Sequence, residues 1–190
     1  ENAQFLLFLV AVIKAVDDYQ DLLRLSVASA GNDHRLGANE APPAIVSMFL
    51  GEELTEILDA IENDALYVGK GNTHMEIGVT VLPHFPKDKT DRNRTSPFAF
   101  TGNKFEFRML GSSFSIAGPI IVLNTIVAEV LRQFADELEN SADFKADLSR
   151  LIKRTIKEHK RVIFNGNGYD QSWVEEAERR GLLNLKTTPE

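Results

Sequence analysis

The spacing of apolar residues predicts a chain that is rich in helix at its N-terminal end. Residues 1–29 are dominated by Ala, Leu, Val, Gln and Lys and contain no glycine or proline, which predicts a helix. The run Phe5–Ile13 within it carries no charge, which is typical of a helix buried in a core. Residues 44–63 return to helical spacing, although we expect Gly51 to kink or split that element.

The C-terminal part of the chain shows the same helical periodicity. Apolar residues predict a long helix over 119–139 and a second helix over about 142–161. A short helix is predicted over Trp173–Arg180, with Ser172 as its N-cap and Gly181 at its end.

Strand and loop signals fill the middle of the chain. Charged and apolar residues alternate from Lys104 to Met109, which predicts a strand over Lys104–Leu110. Glycine, asparagine and proline predict a loop over 31–43 and a turn at Asn165–Gly168. Residues 64–90 are poorly patterned and are expected to be an exposed insertion with a short strand at Ile77–Leu82. Together these elements predict an α+β fold.

Composition excludes several kinds of site. The chain has 190 residues, of which 43% are hydrophobic and 26% charged, and its net charge is −7, as in an ordinary globular domain. It has no cysteine, which excludes disulfides, thiolate zinc sites and cysteine nucleophiles. The acidic balance argues against a nucleic-acid partner, and the first apolar run is shorter than the ~20 residues that a membrane-spanning helix needs. We expect a cytoplasmic location, because neither cysteine nor an export signal is seen.

The loop over 31–43 is the first candidate for chemistry. It brings Arg35 and Glu40 together on a glycine-containing segment, which suits a mobile flap that closes over a charged substrate. The alternative is a plain connection between helices, in which Arg35 and Glu40 form an ion pair in water.

The second candidate is the polar cluster Asp91–Pro97 together with the strand that follows it. Arg94 belongs to the cluster, and strand alternation puts Lys104, Glu106 and Arg108 on one face. Arginine binds carboxylates and phosphates through two hydrogen bonds, and a glutamate oxygen can bind a divalent metal. This face therefore suits a phosphorylated intermediate with its Mg²⁺. The alternative is a ladder of salt bridges on an exposed sheet face.

Four stretches together resemble one enzyme family. They are Ala28–Pro43, Asp91–Arg108, Val122–Glu129 and His159–Tyr169, and they are similar to glutamine synthetases, specifically to the long type III branch. The similarity covers essentially the whole chain. It implies that residues 1–190 are the C-terminal part of the catalytic domain, a half-barrel of antiparallel strands with flanking helices. The insertion around 64–90 is then the one expected of type III, and the N-terminal domain and the first part of the catalytic domain are absent.

The resemblance implies a reaction in two steps. In this family ATP phosphorylates the side-chain carboxylate of glutamate, and ammonia then displaces the phosphate to give glutamine. Glutamate, ammonium and ATP are then the small-molecule partners, with Mg²⁺ or Mn²⁺ needed to neutralise phosphate charge. The family also forms large rings, so a homo-oligomer is implied for the full-length protein.

The resemblance assigns roles in the first candidate loop and in the polar cluster. Arg35 resembles the arginine that holds the substrate glutamate. Glu40 resembles the flap glutamate that shields the intermediate and helps to deprotonate ammonium. Arg94 resembles the arginine that stabilises the transferred phosphoryl group.

It also assigns roles along the charged strand face. Lys104 lies where the common forms have an arginine near the nucleotide phosphates. Glu106 resembles a metal-ligand glutamate, and Arg108 resembles the arginine that faces the substrate carboxylate. The sequence departs from the short forms near Phe98–Phe100, where an arginine that contacts the nucleotide is replaced.

The missing regions lead to a further expectation. The other metal-ligand glutamates of the family precede this segment, so we expect half an active site that is not competent alone. A related ligase that joins another amine to glutamate is one alternative, and a non-catalytic relative of the same fold is another. Retention of Arg35, Glu40 and Arg94 favours the ammonia ligase.

Overall fold

The computed structural model describes residues 3–38, 40–65, 74–75, 85–86, 94–102 and 104–190. Within those ranges the helices are α1 (Ala3–Asp18), α2 (Gln20–Ser26), α3 (Ala30–Arg35), α4 (Glu52–Glu62), α5 (Ala117–Leu138), α6 (Phe144–His159) and α7 (Gln171–Arg179). The strands there are β1 (Met48–Phe49), β2 (His74–Met75), β3 (Phe85–Pro86), β4 (Phe98–Phe100) and β5 (Phe105–Phe107). Helix far exceeds strand, as the α+β, helix-rich prediction requires.

Helix α1 lies at the centre of the core. It packs against both α5 and α6, and Leu9, Ile13 and Val16 are fully buried there. The charge-free run predicted to be a core helix is confirmed as one. Burying each such aliphatic side chain stabilises the fold by about 1.5–3 kcal/mol.

Helix α5 packs along α1 by one face. Ile126, Val130, Phe134 and Leu138 recur every four residues and are buried. Among the described residues α5 is also the one helix whose length and composition would allow it to cross a membrane. Only 22% of its apolar stretch is buried, and the face that is buried packs against α1.

The N-terminal prediction of one continuous helix is wrong at Tyr19. Tyr19 has a φ of −119° and separates α1 from α2, while the Gln20 side chain donates a hydrogen bond to the Asp17 carbonyl at 2.9 Å. The predicted loop is also wrong over its first residues, because they form α3. Ser29 Oγ accepts the Asn32 N–H at 3.2 Å and caps that helix.

The sheet is small and mixed. Strand β1 pairs with β4 in parallel, and β4 pairs with β5 in antiparallel register, with Phe98 opposite Phe107 and Ala99 opposite Glu106. The predicted strand over 104–110 is thus confirmed in its central residues. The parallel pair was not predicted, since the expectation was of antiparallel strands only. The larger half-barrel stays a prediction.

The segment 44–63 is only partly helical. Residues 44–50 are mostly buried and contribute β1, and α4 begins after Gly51, whose φ is +82°. Gly51 therefore starts the helix rather than kinking it. The predicted strand Ile77–Leu82 and most of the insertion 64–90 lie outside the described residues.

The C-terminal helices follow the prediction closely. Helix α7 begins at Gln171 after Asp170, so Ser172 is not its N-cap. Gly181 has a φ of +71° and follows the helix end, as predicted. Trp173 of α7 stacks on Phe164 with ring centroids 3.7 Å apart, which fixes this helix against the preceding turn.

Candidate active site

A cavity of about 560 Å³ opens where the loop after α3, the segment before β4 and the end of β5 meet. Five of the six site residues predicted from the sequence line it: Arg35, Glu40, Arg94, Glu106 and Arg108. Lys104 lies beside it, with Nζ 3.0 Å from Glu106 Oε1 and 68% of its side chain exposed. The volume lies in the range of small-molecule sites.

Strand β5 determines how Glu106 and Arg108 meet. Two residues apart on an extended chain, they project on the same side. Arg108 Nε and Nη2 donate to Glu106 Oε2 at 3.2 and 2.9 Å, and the Arg108 side chain is only 15% exposed. The Arg108 backbone N–H donates to the Pro97 carbonyl at 2.7 Å, which extends the pairing of β4 with β5 into the site.

Glu106 is held as an anion. Hydrogen bonds from Lys104, from Arg108 and from Thr101, in that order of size, lower its pKa from 4.5 to about 2. At neutral pH the cavity therefore presents a fixed carboxylate between two cations.

The lone pairs of Glu106 decide whether it can also bind a metal. Oε1 accepts from Thr101 Oγ1 at 3.0 Å and from Lys104 Nζ at 3.0 Å, and Oε2 accepts twice from Arg108. A carboxylate offers about four lone-pair sites, so all are used. Glu106 Oε1 could bind a divalent cation if the exposed Lys104 side chain turned away, and the other oxygen ligands would come from outside these residues.

Arg35 is held in place by a neighbour that the sequence analysis did not single out. Arg35 Nε donates to Asn32 Oδ1 at 3.0 Å, and Arg35 Nη2 donates to the Met109 carbonyl at 2.7 Å. Asn32 is completely buried and donates to the carbonyls of Val27 and Met109 at 2.8 and 3.0 Å. The spacing Asn-x-x-Arg on one helical turn was the available signal.

Backbone contacts within the loop that carries Glu40 hold its shape. The Gly37 N–H donates to the Pro42 carbonyl at 3.0 Å, and a bridge joins Leu36 to Ala41. Gly37 has a φ of +78°, a conformation that glycine adopts without strain. Glu40 is exposed and lines the cavity.

Arg94 and Tyr169 approach the same cavity from different parts of the chain. Arg94 has a φ of +53°, a left-handed conformation that is uncommon outside glycine. Tyr169 follows the turn Asn165–Gly168, which the sequence predicted only as a turn. No local signal connects that turn to the site, because the contact joins distant parts of the chain.

Acidic residues also cluster away from the cavity. Among the described residues, Asp17, Asp18 and His159 form the group that could hold a metal ion. Asp17 Oδ1 already accepts from Arg161 Nε at 2.7 Å, and Oδ2 lies 2.8 Å from His159 Nδ1. This cluster joins α1 to the end of α6 and is explained as packing.

Comparison with known proteins identifies the family. A family model described as the glutamine synthetase C-terminal domain matches residues 147–190. The type-3 glutamine synthetase of Dictyostelium discoideum is 54% identical over 193 aligned residues, which cover 100% of this chain and 26% of that protein. The chain belongs to the glutamine synthetase family. The resemblance to the type III branch is thereby confirmed.

Two bacterial glutamine synthetases support this family assignment. That of Butyrivibrio fibrisolvens is 51% identical over 199 residues, and that of Bacteroides fragilis (strain YCH46) is 45% identical over 196 residues. Each alignment covers 100% of this chain and 27% of the relative. The chain thus spans about a quarter of the length of the glutamine synthetases that it matches.

Proposed function

We propose that this chain is the C-terminal part of the catalytic region of a glutamine synthetase, which joins ammonia to L-glutamate at the expense of ATP. The observation that supports this most directly is the cavity that gathers Arg35, Arg94 and Arg108 with Glu40 and Glu106. Three guanidinium groups around one small cavity suit a substrate that bears carboxylates and phosphate.

The proposed chemistry has two steps. The glutamate side-chain carboxylate attacks the γ-phosphorus of ATP, the bond to ADP breaks, and γ-glutamyl phosphate forms. Ammonia then attacks the acyl carbon, phosphate leaves with the electrons of the C–O bond, and the attacking nitrogen loses a proton to give glutamine. Ammonium must lose a proton before it attacks.

The arginines stabilise negative charge in this scheme. Arg35 and Arg108 bind the carboxylates of glutamate, and Arg94 stabilises the transferred phosphoryl group. Arg35 and Arg108 are both held by hydrogen bonds to groups of this chain. Preorganised donors of this kind are most effective where charge develops in the transition state.

Glu40 and Lys104 complete the proposed set. Glu40 closes over the intermediate, keeps out water and accepts a proton from ammonium. Lys104 is exposed at the edge of the cavity, and in this proposal its side chain leaves Glu106 and binds nucleotide phosphates.

Glu106 is the residue of this chain that would hold Mg²⁺ or Mn²⁺. The bound cation would supply charge neutralisation at the phosphates. Glu106 is ionised at neutral pH, and in this proposal Lys104 leaves its Oε1 when the cation binds.

The full-length protein would supply the parts of the active site that these residues lack. We propose that further ligands come from regions outside this chain, so that the 190 residues alone do not synthesise glutamine. A cytoplasmic homo-oligomer, in which a neighbouring subunit completes each site, is part of the same proposal.

The test uses the full-length protein and two matched variants. Glutamine formation from glutamate, ammonium and ATP with Mg²⁺ is measured for wild type, Glu106→Ala and Glu129→Ala. Glu129 is the control, because Arg132 lowers the pKa of its carboxyl to about 2 as well. Glu129 lies on α5 and is not among the residues that line the cavity. We expect a loss of about 100-fold or more for Glu106→Ala, as for removal of a group that stabilises several kcal/mol of transition-state charge, and near wild-type activity for Glu129→Ala.

Three other outcomes would each change the assigned function or the role of Glu106. Synthesis that survives Glu106→Ala would remove the metal role from Glu106. Product formed only with another amine would make the protein a γ-glutamyl-amine ligase. No product with any amine would favour a non-catalytic relative.

A further inference from the structure

Gly168 touches the backbone beside Arg94. Its N–H donates to the Thr95 carbonyl at 3.1 Å. A Cβ built on Gly168 would lie 2.3 Å from that same oxygen and 3.4 Å from Pro42 Cβ. A separation of 2.3 Å to a backbone atom is far below van der Waals contact, so any side chain at position 168 must displace the Thr95 peptide.

The Thr95 peptide follows the left-handed residue of the site. Arg94 has a φ of +53°, and a non-glycine residue keeps such a conformation only where its surroundings hold it. After Thr95 the chain is held by Ser96, which is buried and donates from Oγ to the Phe98 carbonyl at 3.0 Å. The contact from Gly168 thus acts on the Thr95–Ser96 peptide, one residue after Arg94.

Pro42 connects the same glycine to the Glu40 loop. The Pro42 carbonyl accepts the Gly37 N–H at 3.0 Å, which closes that loop. Gly168 therefore lies where the two segments of the site meet, one bearing Arg94 and the other bearing Glu40.

The turn around Gly168 is itself well anchored. Asn167 Oδ1 accepts the Tyr169 N–H at 3.1 Å, and Asn167 Nδ2 donates to Asp170 Oδ1 at 2.9 Å. Asn165 Oδ1 accepts the N–H groups of Leu50 and Gly51, both at 3.0 Å. A turn fixed at both ends can impose its position on the segments that it touches.

We propose that Gly168 is a positioning residue for the transfer reaction. It acts through Arg94 and the Glu40 loop, and its missing side chain is what permits the close approach. This inference rests on the proposed function for its catalytic consequence, but the structural contact can be tested separately.

The kinetic test compares two identical substitutions in one turn of the full-length protein. Gly168→Ala is directed at the Thr95 carbonyl. Gly166→Ala is the control, since a Cβ there would lie 2.5 Å from the ring of Phe164, away from the cavity. Because an error of about 1 Å in a catalytic group can cost 100-fold in rate, we expect Gly168→Ala to lower kcat by about 10- to 100-fold. We expect the KM for ATP to change far less, and Gly166→Ala to keep kcat near wild type.

A double-mutant cycle tests the route through Arg94. If Gly168 acts on Arg94, Gly168→Ala should have little further effect on kcat in an Arg94→Ala background. Full additivity of the two losses would overturn the proposal. A loss of kcat that is equal in Gly168→Ala and Gly166→Ala, and that follows thermal stability, would also overturn it.

A second readout needs no activity. Cleavage by trypsin at the Arg94–Thr95 bond, followed by mass spectrometry, should be faster in Gly168→Ala than in wild type and unchanged in Gly166→Ala. If wild type makes no glutamine but this difference is seen, the proposed function fails and the positioning contact stands. Unchanged cleavage in Gly168→Ala would refute the contact.

Asn167→Ala provides the test if Gly168→Ala does not fold. It loosens the turn by removing the Asn167 hydrogen bonds to Tyr169 and Asp170 and adds no bulk. We expect a smaller fall in kcat and faster cleavage after Arg94. A folded Asn167→Ala protein with wild-type kcat and cleavage would overturn the proposal.

Discussion

Asn32 Oδ1 accepts a hydrogen bond from Arg35 Nε at 3.0 Å, one turn along the same short helix. The same asparagine donates to the Met109 carbonyl, and so does Arg35 through Nη2. The two side chains therefore share one backbone acceptor, which lies two residues after β5. This arrangement fixes the guanidinium of Arg35 relative to Arg108, one residue before Met109.

Replacing Asn32 should affect both stability and substrate binding. Asn32→Ala leaves the buried Val27 carbonyl without its partner, so we expect a loss of about 1–3 kcal/mol in unfolding free energy. It also frees Arg35, so the KM for glutamate should rise several-fold. Denaturant titration and steady-state kinetics measure the two effects.

Ser29→Ala is the control for Asn32→Ala. It removes the cap of α3 at a cost of about 0.5–2 kcal/mol but leaves the contacts of Arg35 in place. The KM for glutamate should then stay near wild type. An equal rise in both variants would show that the loss of α3, and not the loss of the Arg35 anchor, weakens binding.

The ion pair of Glu106 with Lys104 should contribute to stability in a defined pH range. The pKa of Glu106 is lowered from 4.5 to about 2 in the folded protein. A lowered carboxyl pKa adds stability that is fully present above the unfolded pKa and is lost as the pH falls through the folded pKa. The contribution is therefore complete above pH 4.5 and disappears toward pH 2.

Lys104→Met tests that range, because Lys104 is the largest cause of the shift. The difference in unfolding free energy between wild type and Lys104→Met should be greatest above pH 4.5 and should shrink as the pH is lowered toward 2. In a Glu106→Gln background the pH dependence of that difference should vanish. A difference that is constant with pH in both backgrounds would contradict this account.

Local periodicity was sufficient to predict the elements that depend on neighbouring residues. Helices α5 and α6 repeat apolar residues every three or four positions, and β5 alternates every second position. These patterns also placed Glu106 and Arg108 on one face, where the structure has them. Helix α3 was missed because its glycine and asparagine residues are typical of loops, although the Ser29 cap was available as a signal.

Contacts between distant segments were beyond prediction from one sequence. The parallel pairing of Met48 with Phe98 leaves no trace in local spacing, nor does the approach of Gly168 to Thr95. Asn32 was predictable only in part. Its spacing to Arg35 can be read from the sequence, but its burial cannot. Site geometry depends on such contacts, so the sequence predicted the candidate residues better than it predicted what holds them.

Phe134 on α5 and Phe144 at the start of α6 should respond very differently to truncation. Phe134 is 4% exposed and Phe144 is 57% exposed. Phe134→Ala should lower the unfolding free energy by about 3–5 kcal/mol, because it leaves a cavity in the core. Phe144→Ala should cost less than about 1 kcal/mol. Equal losses in denaturant titration would show that α5 does not pack as described.

Asp17 and Asp18 are neighbours in sequence but differ in burial and in their partners. The Asp17 side chain is buried and binds both His159 Nδ1 and Arg161 Nε, whereas Asp18 is exposed and pairs with Lys14. Removing one partner of a buried pair costs about 3–5 kcal/mol, and an exposed pair is worth about 1 kcal/mol or less.

Asp17→Asn should therefore destabilise the protein by about 2–3 kcal/mol, somewhat below the buried range, because Arg161 is 42% exposed and can turn toward water. Asp18→Asn should cost less than about 1 kcal/mol. Denaturant titration at neutral pH separates the two. The cluster lies away from the cavity, so kcat per folded molecule should be unchanged in both variants. A fall in kcat for Asp17→Asn alone would instead indicate that the α1–α6 junction is coupled to the active site.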